Sequence, residues 1–271
     1  MPGPGNPKMS DEISKSEDSP SVRSQILTRP DGATIAYRKS PGKSPGVMFL
    51  GGFRSDMTGT KATALEAMCR EQKRAFVRFD YFGHGESSGD FTDGTIGRWT
   101  EDVISVLDQV VEGPQVLVGS SMGGWIMLLA ALTQPGRVAA LVGIAAAPDF
   151  TETLMWERYS PEIRAKLERD GIYYEPSEYD DAPYPITMKL IEEARTHLLL
   201  DRSIAVHCPV RLIHGMRDEA VPWGHSLLIR DVLLAHRVTL TLIKDGDHRL
   251  SRDNDLRLIG RIVNAVCDEV T

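Results

Sequence analysis

The run Gly119-Ser120-Ser121-Met122-Gly123 places one serine two residues from a glycine on either side. An apolar strand pattern, Gln115–Gly119, precedes it and a helical pattern, Met122–Thr133, follows it. In that context Ser121 occupies a sharp strand-to-helix turn, with its hydroxyl lifted clear of the backbone at a helix N-terminus. The glycines belong where a Cβ would strike neighbouring backbone. A serine hydroxyl is a weak nucleophile at neutral pH, so a base must take its proton and an acid must orient that base. The chemistry such a serine can do is covalent attack on an acyl carbonyl. Ser120 has the wrong phase for it.

The acid and the base are expected on loops that follow later strands, in the chain order serine, acid, histidine. Asp218 follows the strand pattern Val210–His214, and His248 follows Thr239–Ile243. Glu219 is the nearest competitor to Asp218. Among the seven histidines, His197, His207 and His236 fall in helical or connecting segments and His225 in the helix after Asp218. His214 stands at a strand end, where it serves as a hydrogen-bonding partner. Asp245 and Asp247 read as turn formers. A tetrahedral intermediate also needs two donors aimed at its oxyanion. The Met122 N–H, next to the nucleophile, is one; the other comes from the glycine-rich loop Leu50-Gly51-Gly52-Phe53-Arg54, with the Phe53 N–H as the choice and that of Gly52 as the alternative. Gly52 and Arg54 are expected to bind substrate at the site mouth, and Ser55–Gly59 either shapes that mouth or caps the following helix. Asp80–Ser87 carries glycines after a strand but lacks the lysine of a P-loop and the third glycine of a dinucleotide fingerprint. It reads as a tight structural turn beneath the site.

These residues need a frame to hold them. Short apolar runs alternate with helical periodicity along most of the chain, the mark of βαβ units and a mostly parallel sheet. The expected strands are Ser24–Thr28, Thr34–Arg38, Val47–Leu50, Phe76–Phe79, Gln115–Gly119, Ala139–Ile144, Val210–His214 and Thr239–Ile243, the first two an antiparallel hairpin about Pro30-Asp31-Gly32. Helices are expected over Lys61–Gln72, Ile96–Val111, Met122–Thr133, Trp223–Leu234 and Asp253–Asp268. The fold class is therefore α/β, with an eight-stranded, mostly parallel sheet flanked by helices. Residues 147–206 break the rhythm: they show no strand pattern, carry helical periodicity only at Glu162–Arg169 and Thr187–Leu199, and are loop-like at Tyr173–Pro176 and Ala182–Pro185. They read as a helical cap inserted between core segments 23–146 and 207–271. Trp156, Tyr159, Tyr173, Tyr174, Tyr179 and Tyr184 either line an acyl pocket or form a small core of the cap. Residues 1–22, poor in apolar side chains, read as a flexible tail.

With 271 residues, 41% of them hydrophobic and 25% charged, the chain has the composition of an ordinary globular domain. A net charge of −7 argues against nucleic acid as a partner, the more so because residues 149–202 hold 13 acidic and 7 basic side chains. Three widely spaced cysteines support neither a disulfide framework nor zinc. No apolar stretch approaches the ~20 residues of a membrane span, and the N-terminus lacks an apolar signal core. These features lead to the expectation of a soluble, cytoplasmic protein that needs neither metal nor cofactor.

Beyond the serine motif, Met57–Ala62, Arg78-Phe79-Asp80-Tyr81, Val118–Trp125, Cys208–Met216, Val221-Pro222-Trp223 and Asp247-His248-Arg249 resemble the α/β-hydrolase superfamily, in particular the branch of α/β-hydrolase domain-containing protein ten and its bacterial members. The resemblance runs from about Ile35 to Val263. It implies a serine esterase and thioesterase that removes S-acyl groups from protein cysteines and hydrolyses acyl-glucuronide esters, with Ser121, Asp218 and His248 as its triad. The partner is then a small ester or thioester, or an S-acylated protein. Two alternatives stand beside it. A prolyl aminopeptidase-like amide hydrolase would need an amine-binding carboxylate, which Glu175, Glu178, Asp180 or Asp181 of the cap could supply; a ligand-binding protein would keep the fold without turnover. Dehalogenase and epoxide hydrolase chemistry is disfavoured, because Ser121 stands where an aspartate is required.

Overall fold

The computed structural model describes residues 23–176 and 182–271. The tail of residues 1–22 therefore lies outside the described residues, as do Glu178, Tyr179, Asp180 and Asp181.

Strands β1 (Gln25–Thr28), β2 (Thr34–Ser40), β3 (Lys43–Leu50), β4 (Arg74–Phe79), β5 (Gln115–Ser120), β6 (Val138–Ile144), β9 (Val210–Gly215) and β10 (Val238–Ile243) form one sheet in the order β1-β2-β4-β3-β5-β6-β9-β10. From β4 to β10 every pairing is parallel; β2 runs antiparallel to both β1 and β4. The eight expected strands are all present. Central parallel strands are covered on both faces and so can be apolar at every position. Along β5, Val116 and Val118 face one layer while Leu117 faces the other, and all three are fully buried.

Helices α1 (Thr60–Glu71) and α7 (Asp253–Glu269) cover the first layer; α2 (Ile96–Gln109), α3 (Met122–Thr133) and α6 (Gly224–Val232) cover the second. The first turn of α2 shows why its boundary is sharp: Thr95 is extended and its hydroxyl accepts from the Arg98 N–H at 3.2 Å, satisfying a donor the helix cannot. Its buried face, Trp99, Val103, Val106 and Leu107, repeats at the three- and four-residue spacing of one helical stripe. Burial of each such side chain contributes about 1.5–3 kcal/mol.

Between β6 and β9 lies the cap. It holds a π-helical turn at Thr151–Met155, α4 (Pro161–Asp170) and α5 (Met188–Ala194). The expectation that this segment lacks strands is corrected by β7 (Ile172–Glu175) and β8 (Tyr184–Thr187), an antiparallel pair in which Tyr174 opposes Pro185. The stretches read as loops at Tyr173–Pro176 and Ala182–Pro185 thus form a ribbon. Two strands of four residues are too short for alternation to register, and a proline fits in a two-stranded ribbon because one edge of each strand is unpaired.

Candidate active site

The turn between β5 and α3 holds Ser121 at φ 54°, ψ −118°. A side chain in this region costs about 1–3 kcal/mol and persists only where its surroundings over-determine it. Here the Ser121 N–H donates to the Ile144 carbonyl at 2.9 Å, and its own carbonyl accepts from the Gly124 and Ala147 N–H groups at 2.8 and 3.1 Å. The two motif glycines are required by close approach: a Cβ on Gly119 would lie 2.3 Å from the Gly123 carbonyl oxygen, and one on Gly123 would lie 2.2 Å from that of Leu50.

Asp218 and His248 come from the loops after β9 and β10. Those strands pair up to Gly215 opposite Ile243, and the loops then cross so tightly that a Cβ on Gly215 would lie 2.4 Å from the Gly246 carbonyl oxygen. The Met216 and Arg217 N–H groups donate to the carbonyls of Ile243 and Gly246, both at 2.8 Å. This crossing brings the expected acid and base together. The His248 Nδ1–H donates to Asp218 Oδ2 at 2.7 Å, which leaves Nε2 to accept from the Ser121 hydroxyl at 3.2 Å. Burial would push the Asp218 carboxyl up, but hydrogen bonds from His214 and His248 and the Val221 N–H outweigh it and hold the group at about 2. Asp218 therefore stays ionised at neutral pH. Glu219, its competitor, is exposed at the cavity mouth.

Because Leu50 pairs with Gly119, the loop after β3 runs beside the serine: a Cβ on Gly52 would sit 3.4 Å from that of Ser121. Phe53 and Met122 both border the cavity at Ser121. Met122 is the first residue of α3, so its N–H has no partner within the helix. Sequence reasoning did not find what supports this loop. His84, from the turn Asp80–Ser87, donates through Nδ1 to the Phe82 carbonyl at 3.1 Å and accepts the Arg54 N–H on Nε2 at 3.3 Å. Burial pushes His84 down to about 4, which keeps that acceptor lone pair free at neutral pH. The rings of Phe91, Trp99 and Tyr81 enclose the imidazole edge-on at 5.1–5.7 Å. Arg54 itself takes a positive φ of 57°. The glycines that flank His84 marked a turn, yet nothing in sequence spacing ties residue 84 to residue 54.

A cavity of about 870 Å³ opens over Ser121. The cap contributes an apolar wall, Phe150, Leu154, Met155 and Tyr184, and the π-helical turn is what brings Leu154 and Met155 into it. Arg54, Lys61 and Arg158 bring positive charge to the same cavity, and Glu175 and Glu219 bring negative charge. The Arg54 guanidinium donates to the Pro183 carbonyl at 3.2 Å and packs over Tyr184 at 5.2 Å, so it joins core to cap. Lys61 donates to the Arg249 carbonyl at 2.6 Å, next to His248, and burial pushes its amine down to about 8. Of the cap carboxylates proposed for amine binding, Glu175 lines the cavity; burial pushes it up from the ordinary range. Tyr159 and Tyr173 stack edge-on at 5.8 Å, so these two rings belong to the cap's own packing while Tyr184 belongs to the cavity. Among the described residues, no cluster of three or more His, Cys, Asp or Glu side chains is arranged to hold a metal ion, and no helix is long and apolar enough to cross a membrane.

Residues 47–169 match the family model described as "Serine aminopeptidase, S33". The chain is 42% identical over 247 residues to the palmitoyl-protein thioesterase ABHD10, mitochondrial, of Bos taurus, which covers 91% of this chain and 80% of the relative. The structure of the mouse α/β-hydrolase domain-containing protein 10 superposes with a TM-score of 0.86 at 41% identity, covering 92% of this chain and all of that one. A hydrolase structure from Agrobacterium vitis superposes with a TM-score of 0.87 at 38% identity, over 90% of this chain and 98% of the other. The expected cytoplasmic location does not stand: the ABHD10 relatives are named as mitochondrial proteins. Unpaired cysteines and the lack of an apolar signal core do not distinguish one reducing compartment from another. Sequence identity over nine-tenths of its length, the shared sheet and the serine turn together establish that the chain belongs to the α/β-hydrolase superfamily of ester and thioester hydrolases, in the ABHD10 branch.

Proposed function

We propose that the chain hydrolyses carboxylic thioesters and esters through an acyl-serine intermediate, with long-chain S-acyl groups on protein cysteines as its substrate class. The observation that carries this reading is the continuous Ser121–His248–Asp218 hydrogen-bonded chain, at 3.2 and 2.7 Å, opening into a cavity with an apolar cap wall. The kinship with a palmitoyl-protein thioesterase supports the choice of acyl group.

In the first half-reaction His248 Nε2 takes the Ser121 proton as Oγ attacks the acyl carbonyl, and the carbonyl π pair moves onto oxygen. The Met122 and Phe53 N–H groups hold that oxyanion, aided by the N-terminal end of the α3 dipole. The intermediate collapses, the carbon–sulfur or carbon–oxygen bond breaks, and His248 returns its proton to the leaving thiol or alcohol. A water then gives its proton to His248 and attacks the acyl-serine; collapse releases the carboxylic acid and restores the Ser121 hydroxyl. Asp218 holds the imidazole tautomer throughout. Gly52 lets the substrate approach the turn, and Arg54 lies at the mouth where the leaving group departs.

One observation favours a second reading, amide hydrolysis: Glu175 faces the cavity in a chain matched by an aminopeptidase family model. Steady-state turnover of matched thioesters and oxygen esters over a series of acyl lengths, beside a prolyl amide and with Ser121→Ala as control, separates the two. Serine-dependent turnover that favours long-chain thioesters is expected. Turnover of the prolyl amide alone would replace this reading with the peptidase, and unchanged activity in Ser121→Ala would overturn the mechanism.

A further inference from the structure

Asp218 is approached by two histidines. Besides His248, His214 on β9 brings its Nε2 to 3.1 Å from Asp218 Oδ2 and 2.9 Å from the Val221 carbonyl oxygen. A nitrogen facing two acceptors must carry the proton, so Nε2 is the donor and Nδ1 the lone pair. Nδ1 lies 2.7 Å from Ser226 Oγ on α6, whose hydroxyl then donates to it. His214 is fully buried and Ser226 1% exposed. Both ring nitrogens are thus engaged, and the ring is fixed between β9 and α6.

We infer that His214 is a positioning residue for the reaction: with Ser226 behind it, it holds the Asp218 carboxylate in line with His248 and draws off part of its negative charge. The inference rests on the triad reading above. Its logic is electrostatic. Asp218 Oδ2 shares its lone pairs between two imidazoles while Oδ1 accepts from the Val221 N–H at 2.7 Å. A carboxylate that donates less charge to His248 stabilises the imidazolium less. Without His214 the carboxylate is both freer to rotate and more basic. The other titratable and charged groups nearby are Lys61, which donates to the Arg249 carbonyl beside His248, Asp247 and Arg249 on either side of His248, Glu219 at the cavity mouth, and His225, which donates to the Pro148 carbonyl at 2.7 Å and whose pKa is lowered by burial, with His214 and Arg158 adding to the effect. Replacing His214 removes its own part in that lowering, so the acidic limb is read against Ser226→Ala, which keeps His214 in place.

The test compares His214→Leu, His214→Gln and Ser226→Ala, each checked by thermal melting, in kcat and KM across pH. Labelling of Ser121 by a fluorophosphonate, with Ser121→Ala as blank, runs in parallel. Removing a hydrogen bond to a charged group corresponds to about a ten- to hundred-fold loss. Because lost positioning of the carboxylate outweighs the stronger charge left on it, His214→Leu is expected to lose that much in kcat with KM little changed, while the stronger charge should move the acidic limb of kcat/KM to higher pH. His214→Gln, which can still donate to Asp218, should recover most of the activity. Ser226→Ala removes only the donor behind the ring and should shift the same limb in the same direction by a smaller amount, which keeps the test open where His214→Leu does not fold. Wild-type labelling together with an unmoved acidic limb in both His214→Leu and Ser226→Ala, or in Ser226→Ala alone where His214→Leu does not fold, would overturn the inference. No labelling of wild-type Ser121 would instead overturn the triad reading, and the inference with it.

Discussion

The floor of the cavity and its roof are built on different principles. The floor is held by polar groups with more than one partner: the buried Asp218 accepts from three donors, the buried His84 is bonded at both nitrogens, and the half-buried Ser121 is clamped by three backbone hydrogen bonds. The roof is anchored at its base, where buried Asp149 accepts from the Leu199 and Leu200 N–H groups, but carries part-exposed ion pairs and ring contacts above it, such as Arg195 with Glu152 at 2.7 Å and Arg195 over Trp156 at 4.9 Å, beside the two-stranded ribbon. Buried, fully satisfied networks specify one geometry, whereas exposed pairs each contribute about 0–1 kcal/mol and tolerate rearrangement. On the proposed function, the chemistry falls to the floor and the selection of the acyl chain to the roof.

The sharpest way to break this contrast is at the floor. Asp218→Asn removes the charge and favours the wrong tautomer of His248, so kcat for a thioester should fall about 10⁴-fold; a loss below tenfold in a folded protein would mean that the floor is not committed to one proton path. Next comes His84→Phe, which removes the acceptor of the Arg54 N–H. Turnover should fall about 10- to 100-fold with KM little changed, because the oxyanion loop loses its anchor. The same variant tests a stability effect. His84 is held at about 4 when folded, against about 6.5 when unfolded. Between these values the unfolded chain binds the extra proton, so stability must fall as pH drops through that window. Melting temperatures across pH 7 to 4 should therefore decline more steeply in wild type than in His84→Phe.

Changes in the roof should be smaller and of another kind. Leu154→Trp narrows the apolar wall, and the ratio of long-chain to short-chain kcat/KM should drop about tenfold while short-chain turnover is retained, each buried methylene being worth ~0.8 kcal/mol. Equal losses for all chain lengths would show that the wall supports the floor rather than selecting the acyl chain. The smallest effect belongs to Arg195→Ala, at less than about 1 kcal/mol in thermal stability and with no change in kcat.

The same division decided what could be read in advance. Ser121 directly follows β5, and Asp218 and His248 lie on the loops after β9 and β10, where apolar periodicity stops, so their placement relative to the sheet was legible from pattern. The bounds of α3 came out as read, because ten consecutive helix residues are buried between sheet and neighbouring helices. That His84 accepts the Arg54 N–H and that the hydrogen bond expected of His214 goes to Asp218 were not legible. Each histidine works through a hydrogen bond whose partner is set by how two loops or a strand and a helix cross, and no periodicity records that. The cap ribbon was missed because its strands are four residues each. The compartment was misread because unpaired thiols are shared by every reducing space.

The cap begins after β6 and ends before β9, and those two strands are direct neighbours, paired from Leu141 opposite Val210 to Ile144 opposite Ile213. Because the two strands run parallel, the segment leaves at the C-terminal end of β6 and returns to the N-terminal end of β9, so the sheet fixes both feet at opposite ends of adjacent strands, whatever lies between them. Doubling the length of a chain segment whose ends are so fixed costs only about 0.6 kcal/mol in closure entropy. The segment can therefore be lengthened or shortened while the two strands beneath it stay paired.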